Sequence, residues 1–115
     1  MQISGSRPSA LDTIFETKIP LIGDIHLTPL PGTKRYRGES MASIVDQAHR
    51  DAEAFEKGGM DGIIIENHGD IPFLKPDEIG PEIIAAMSAI TARIVDAAGV
   101  PIGVNLLANA AIGAL

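Results

Sequence analysis

The chain has no cysteine and no tryptophan, and aromatic residues make up only 3% of it. Without cysteine there is no disulfide, no thiol nucleophile and no thiolate-ligated zinc. With so few rings, the core has to be aliphatic, built from Ile, Leu, Val, Met and Ala. Excess positive charge is missing too, for the formal net charge is -6. A nucleic-acid surface needs a basic stripe, and adhesion to anionic lipid needs clustered Lys and Arg, so neither partner is expected. The most apolar stretch, residues 99–115, is broken by Pro101, Asn105 and Asn109, which leaves it too short and too interrupted for a membrane helix. Residues 1–8 are polar and lack the apolar core of a signal peptide. The expectation is a cytoplasmic protein whose 115 residues suffice for one ordinary domain.

What the chain does have is aliphatic residues in two alternating periods. Ser9 and Asp12 fit a helix-start box, and Leu11, Ile14 and Phe15 follow at helical spacing, predicting a short covering helix over residues 10–16. An apolar run then predicts a first strand over residues 19–26 that ends in Asp24 and His26. Two residues apart, both side chains project from one face of an extended chain. A loop over residues 27–39 carries Lys34, Arg35, Tyr36 and Arg37. These can clamp a phosphate or carboxylate, or form a solvated basic patch. Ser40 caps a helix whose stripe is Met41, Ile44, Val45, Ala48, Ala52 and Phe55, with His49 on the polar side and Gly58-Gly59 ending it. Ile63-Ile64-Ile65 reads as a strand buried on both faces, and it ends in Glu66-Asn67, followed by His68, Gly69 and Asp70. Pro81 starts a third helix, striped by Ile83, Ile84, Met87, Ile90, Ile94 and Val95, and Gly99 stops it. A third strand over residues 100–104 ends in Asn105, and residues 106–115 read as a loop and the first turn of another helix.

Strands alternating with helices imply an α/β fold with parallel strands and right-handed crossovers. An open doubly wound sheet and a (β/α)₈ barrel both fit that order. No Gly-x-Gly-x-x-Gly turn follows the first strand, and every strand ends in polar residues, which suits a barrel that gathers strand ends at one rim.

Three segments carry a resemblance. Gly23-Asp24-Ile25-His26-Leu27-Thr28-Pro29-Leu30-Pro31-Gly32, then Gly59-Met60-Asp61-Gly62-Ile63-Ile64-Ile65-Glu66-Asn67 with Gly69-Asp70-Ile71-Pro72-Phe73, then Gly103-Val104-Asn105-Leu106-Leu107 together resemble the BtpA/SgcQ family. The resemblance runs from about residue 18 to residue 109. It implies kinship with ribulose-phosphate-binding barrels and a TIM-barrel fold of about 250 residues. On that reading residues 1–17 are a tail and covering helix, and residues 18–115 are the first three βα units of an incomplete barrel. Where the family usually carries a basic residue and an Asp after the third strand, this chain has Ala108 and Ala110.

For function, the strand ends offer Asp24, His26 and Glu66 as catalytic acid, base and proton carrier, with Asn67, Asp70, Asn105 and Arg35 as substrate-binding groups. The expected partner is a small phosphorylated or sugar-like substrate. A divalent metal held by Asp24, His26 and Glu66 is a second option. A third, implied by the resemblance, is a non-enzymatic role in photosystem I biogenesis, with a peripheral thylakoid location in a photosynthetic source. A fourth is an inactive, truncated product. Three strands cannot close a barrel, so the chain alone is expected to aggregate or pair through its sheet edges.

Overall fold

A computed structural model describes residues 9–107. The expected loose tail over residues 1–8, the helix start beyond residue 107, and Ala108 and Ala110 lie outside the described residues. The elements run α1 (Ala10–Ile14), β1 (Ile22–His26), α2 (Met41–Lys57), β2 (Gly62–Glu66), α3 (Pro81–Ala97) and β3 (Ile102–Asn105). Single 3₁₀ turns lie at His68–Asp70 and Pro76–Glu78. The strands form one parallel sheet in the order β1-β2-β3. This is an α/β architecture of parallel strands joined by two complete crossover helices, α2 and α3.

Local chemistry sets the boundaries. Ser9 and Asp12 close a reciprocal capping box on α1, and the Ser40 side chain accepts from Ser43 N to start α2. Only Gly59 of the glycine pair after α2 has positive φ, at 91°. Gly58 ends the helix in an ordinary helical conformation. β1 begins later than the predicted residue 19. Pro20 has no N–H for a ladder, and Ile19 stays 82% exposed. Leu21 instead ties to Asp61, its N–H donating to Asp61 Oδ2 at 2.9 Å and its carbonyl accepting from Asp61 N at 2.8 Å. β3 likewise starts at Ile102, after Pro101, whose carbonyl accepts from Ile63 N at 3.0 Å.

The two faces of the sheet differ. Toward the helices point Ile25, Leu27, Ile63 and Ile65, all buried, and they meet Ile44, Ala48 and Ala52 of α2 and Ile83, Met87, Ile90 and Ile94 of α3. Each fully buried aliphatic side chain contributes about 1.5–3 kcal/mol. Gly23 is small because the Phe55 ring lies on it: a Cβ there would sit 2.6 Å from Phe55 Cγ. On the other face the register aligns Ile22 with Gly62, Asp24 with Ile64 and Gly103, and His26 with Glu66 and Asn105. Phe15, just past α1, covers the foot of this face, 2.9 Å from where a Gly62 Cβ would stand.

That second face corrects one expectation. Ile64 is only half-buried, so β2 is not covered on both sides. The open face is also less apolar than a barrel interior built of branched residues, for Ile22 and Ile64 are its only large aliphatic side chains among the paired strand residues. The incentive to associate therefore comes from elsewhere. The outer edges of β1 and β3 have no strand beside them among the described residues. A groove of about 280 Å³ between α3 and β3 is lined by Ile84, Met87, Thr91, Val104 and Leu106. We expect light scattering on the purified 115-residue chain to give a dimer or larger species. A monodisperse monomer with a cooperative unfolding transition would show that three units are self-sufficient.

Candidate functional site at the strand ends

The open face of the sheet ends in a polar cluster. Asp24 and His26 lie on one side of β1, as their spacing predicts, and His26 Nε2 is 3.3 Å from Asp24 Oδ2. His26, Glu66 and Asn105 occupy a single rung across the three strands. One ligand atom from each of Asp24, His26 and Glu66 lies within 4.8 Å of the others. The cluster is accessible: the His26 and Asp24 side chains are 52% and 42% exposed. The His26 ring stacks on His68, with centroids 4.3 Å apart and planes 11° from parallel. His68 in turn meets the edge of Phe73 at 6.2 Å. Nothing in the local sequence pattern marks His68 as part of this cluster. It lies outside the strands, and only the 3₁₀ turn brings it back over β1.

Asn67 and Asp70 go elsewhere. They are 2% and 3% exposed and hydrogen-bond to the protein itself. Asn67 Nδ2 donates to Asp70 Oδ2 at 3.0 Å and to the Leu107 carbonyl at 3.1 Å. Leu107 N donates to Asn67 Oδ1 at 2.7 Å, and Leu30 N donates to Asp70 Oδ1 at 2.8 Å. The pair thus joins the segments that follow β1, β2 and β3. Burial pushes the Asp70 carboxyl above its ordinary value, against the lowering effect of the donors from Leu30 and Asn67. The alternation of β2 carries a signal for this. Asn67 has the parity of the buried Ile63 and Ile65, whereas Glu66 shares the open side with Ile64.

Arg35 lies in the loop after β1. With Thr28, Pro29, Lys34, Tyr36, Arg37 and Glu39 it lines an open hollow of about 720 Å³. The hollow shares no lining residue with the Asp24–His26–Glu66 cluster, but it opens beside Thr28 and Pro29, which follow β1 directly. Thr28 Oγ1 is buried with no hydrogen-bond partner among the described residues. His49 is half-buried on α2, 3.4 Å from Glu53, and takes no part in the cluster. No helix among the described residues is long and apolar enough to cross a membrane.

Parallel strands with crossover helices on one face and polar residues at the strand ends fit a TIM-barrel-type α/β protein. The chain matches the BtpA family over residues 17–115, and it belongs to that family, whose fold is TIM-barrel-like. It is 40% identical over 101 residues to the photosystem I biogenesis protein BtpA of Synechocystis, covering 88% of this chain and 34% of the relative. An uncharacterized protein of Archaeoglobus fulgidus is 42% identical over 95 residues, covering 83% of this chain and 37% of the relative. One of Methanocaldococcus jannaschii is 44% identical over 97 residues, covering 84% and 36% respectively. The chain thus spans about a third of the length of the curated relatives it matches. No solved structure matches it significantly.

Proposed function

We propose that the chain supplies the opening part of a barrel-rim site in a metabolic enzyme acting on a small phosphorylated or sugar-like substrate. The observation that carries this is the rung of His26, Glu66 and Asn105 beside Asp24 on the accessible face of the sheet. Catalytic residues in barrels of this type come from the ends of several strands. In this reading His26 carries the proton, Asp24 orients its ring and balances its charge, and Glu66 is the second acid or base. Asn105 orients the substrate. Asn67 and Asp70 act through position, by holding the three strand ends together. The cations Lys34, Arg35 and Arg37 around the hollow attract an anionic group. The location is cytoplasmic.

The test is turnover of a panel of sugar phosphates by the full protein, followed by NMR. His26→Gln and Glu66→Gln are each expected to lower kcat by about 100-fold or more. Arg35→Ala is expected to raise KM with kcat kept. Unchanged kcat in both rim variants contradicts the proposal.

A second reading, participation in photosystem I biogenesis, rests on the name of the Synechocystis relative. The archaeal relatives are as similar to this chain as the cyanobacterial one, and a relative also occurs in Caenorhabditis elegans. None of those three relatives carries that name, so this second reading has one name behind it, whereas the metabolic reading has the geometry of the rim.

A further inference from the structure

We infer that Asp24, His26 and Glu66 form a binding site for one divalent first-row cation, Mn²⁺ or Zn²⁺. The distances suit it. Two ligands bonded to one cation at about 2.0–2.2 Å stand roughly 3–3.5 Å apart, and His26 Nε2 and Asp24 Oδ2 are 3.3 Å apart. The third donor, from Glu66, completes a group that spans no more than 4.8 Å. Its side chain is long enough to swing in by the remaining ångström, and it stands on the rung of His26.

A second observation points the same way. The His26 ring lies flat on His68, whose ring meets Phe73 edge-on. In that stacked position Nε2 faces the carboxylate of Asp24. Coordination through Nε2 puts the ring proton on Nδ1. The donor set selects the metal class: an imidazole disfavours Mg²⁺ and Ca²⁺, which take oxygen ligands, and suits Mn²⁺ and Zn²⁺ better when two carboxylates accompany it. All three ligands come from one side, and two of their side chains are half in solvent. Open coordination positions therefore face outward, as in a catalytic rather than a structural site. The inference rests on reading this rim as a site, with ligation by His26 and Glu66 taking the place of their proton-transfer roles, but it is measured without turnover.

The experiment is calorimetric titration of the untagged full protein with MnCl₂ and with ZnCl₂. One saturable site per chain is expected. Glu66→Gln and His26→Gln should each weaken binding on the order of 10–100-fold. His49→Gln should not change it, because His49 pairs with Glu53 on α2 instead. His68→Ala should weaken binding, and His68→Phe, which keeps the stack, should restore it. All these side chains are exposed or half-exposed, and circular dichroism checks that the variants fold. Equal affinity in Glu66→Gln and the parent, or loss of the site in His49→Gln, overturns the inference, as does the absence of saturable binding into the millimolar range. Loss of turnover in the rim variants with no metal bound would sink this inference and leave the enzymatic reading standing. Saturable binding with no dependence of turnover on Glu66 would do the reverse.

Discussion

Gly69→Ala is expected to destabilise the fold by about 3 kcal/mol or more, the range of severe single substitutions. A Cβ on Gly69 would stand 2.8 Å from Pro29 N and 2.9 Å from Thr28 C, and closer still to the Leu27 carbonyl. These are backbone atoms, and they are pinned. Leu27 N donates to the Glu66 carbonyl at 3.0 Å, and Gly69 N donates to the Leu27 carbonyl at 3.0 Å. Leu27 and Leu30 are 4% and 0% exposed. Either the segment after β1 lifts, exposing two leucines at about 1.5–3 kcal/mol each, or the 3₁₀ turn lifts and takes His68 off His26. Urea unfolding of parent and variant at one protein concentration gives the loss. A variant as stable as the parent would mean that the two segments do not pack this closely.

Asn67→Ala is the second large effect, about 3 kcal/mol. One side chain makes three hydrogen bonds in a buried place. Its removal leaves Leu107 N, the Leu107 carbonyl and one oxygen of Asp70 without those partners, at roughly 1–3 kcal/mol for each group left unsatisfied. The sign of the pH dependence follows from Asp70. Its carboxyl is raised in the folded protein, so the folded state holds its proton to higher pH than the unfolded state does. Stability from this group is therefore fully present below the ordinary value of 3.8 and is lost as pH rises through the folded value. Without the Asn67 donor the folded value rises further. The deficit of Asn67→Ala should grow as pH rises from that acid range toward neutral, and paired urea titrations across it check this. A deficit that is largest in acid would mean that the Asn67–Asp70 contact does not stabilise the carboxylate.

Most of the architecture is legible in the residues. The helical stripe from Met41 to Phe55, the Ser9–Asp12 and Ser40 caps and the aliphatic strands specify their elements through local periodicity and capping, which need no knowledge of distant partners. The side shared by Asp24 and His26 follows from a period of two. What was not legible is tertiary. Pro20 and Pro101 shortened two strands because ladder donors, rather than apolar runs, define where pairing begins. Asn67 and Asp70 read as site residues because they are polar at a strand end, yet parity puts Asn67 on the helix side, where it bonds to the segment after β3. The rung that aligns Asn105 with Glu66 and His26 depends on register, which no single strand encodes. His68 and Gly69 depend on how one turn docks onto a neighbouring loop.

A small-ligand site on the open face at the strand ends should be visible through the histidines around it. The chain has three histidines, which serve as built-in reporters. Two of them, His26 and His68, stack at that rim, while His49 lies on α2 beside Glu53, on the far side of the sheet. The most direct measurement is the histidine ring spectrum of the isotope-labelled protein as substoichiometric Mn²⁺ is added, with assignments from single His→Gln variants. With the site at that rim, the His26 and His68 resonances broaden together while His49 stays sharp. Broadening of His49 alone, or of all three equally, would contradict it.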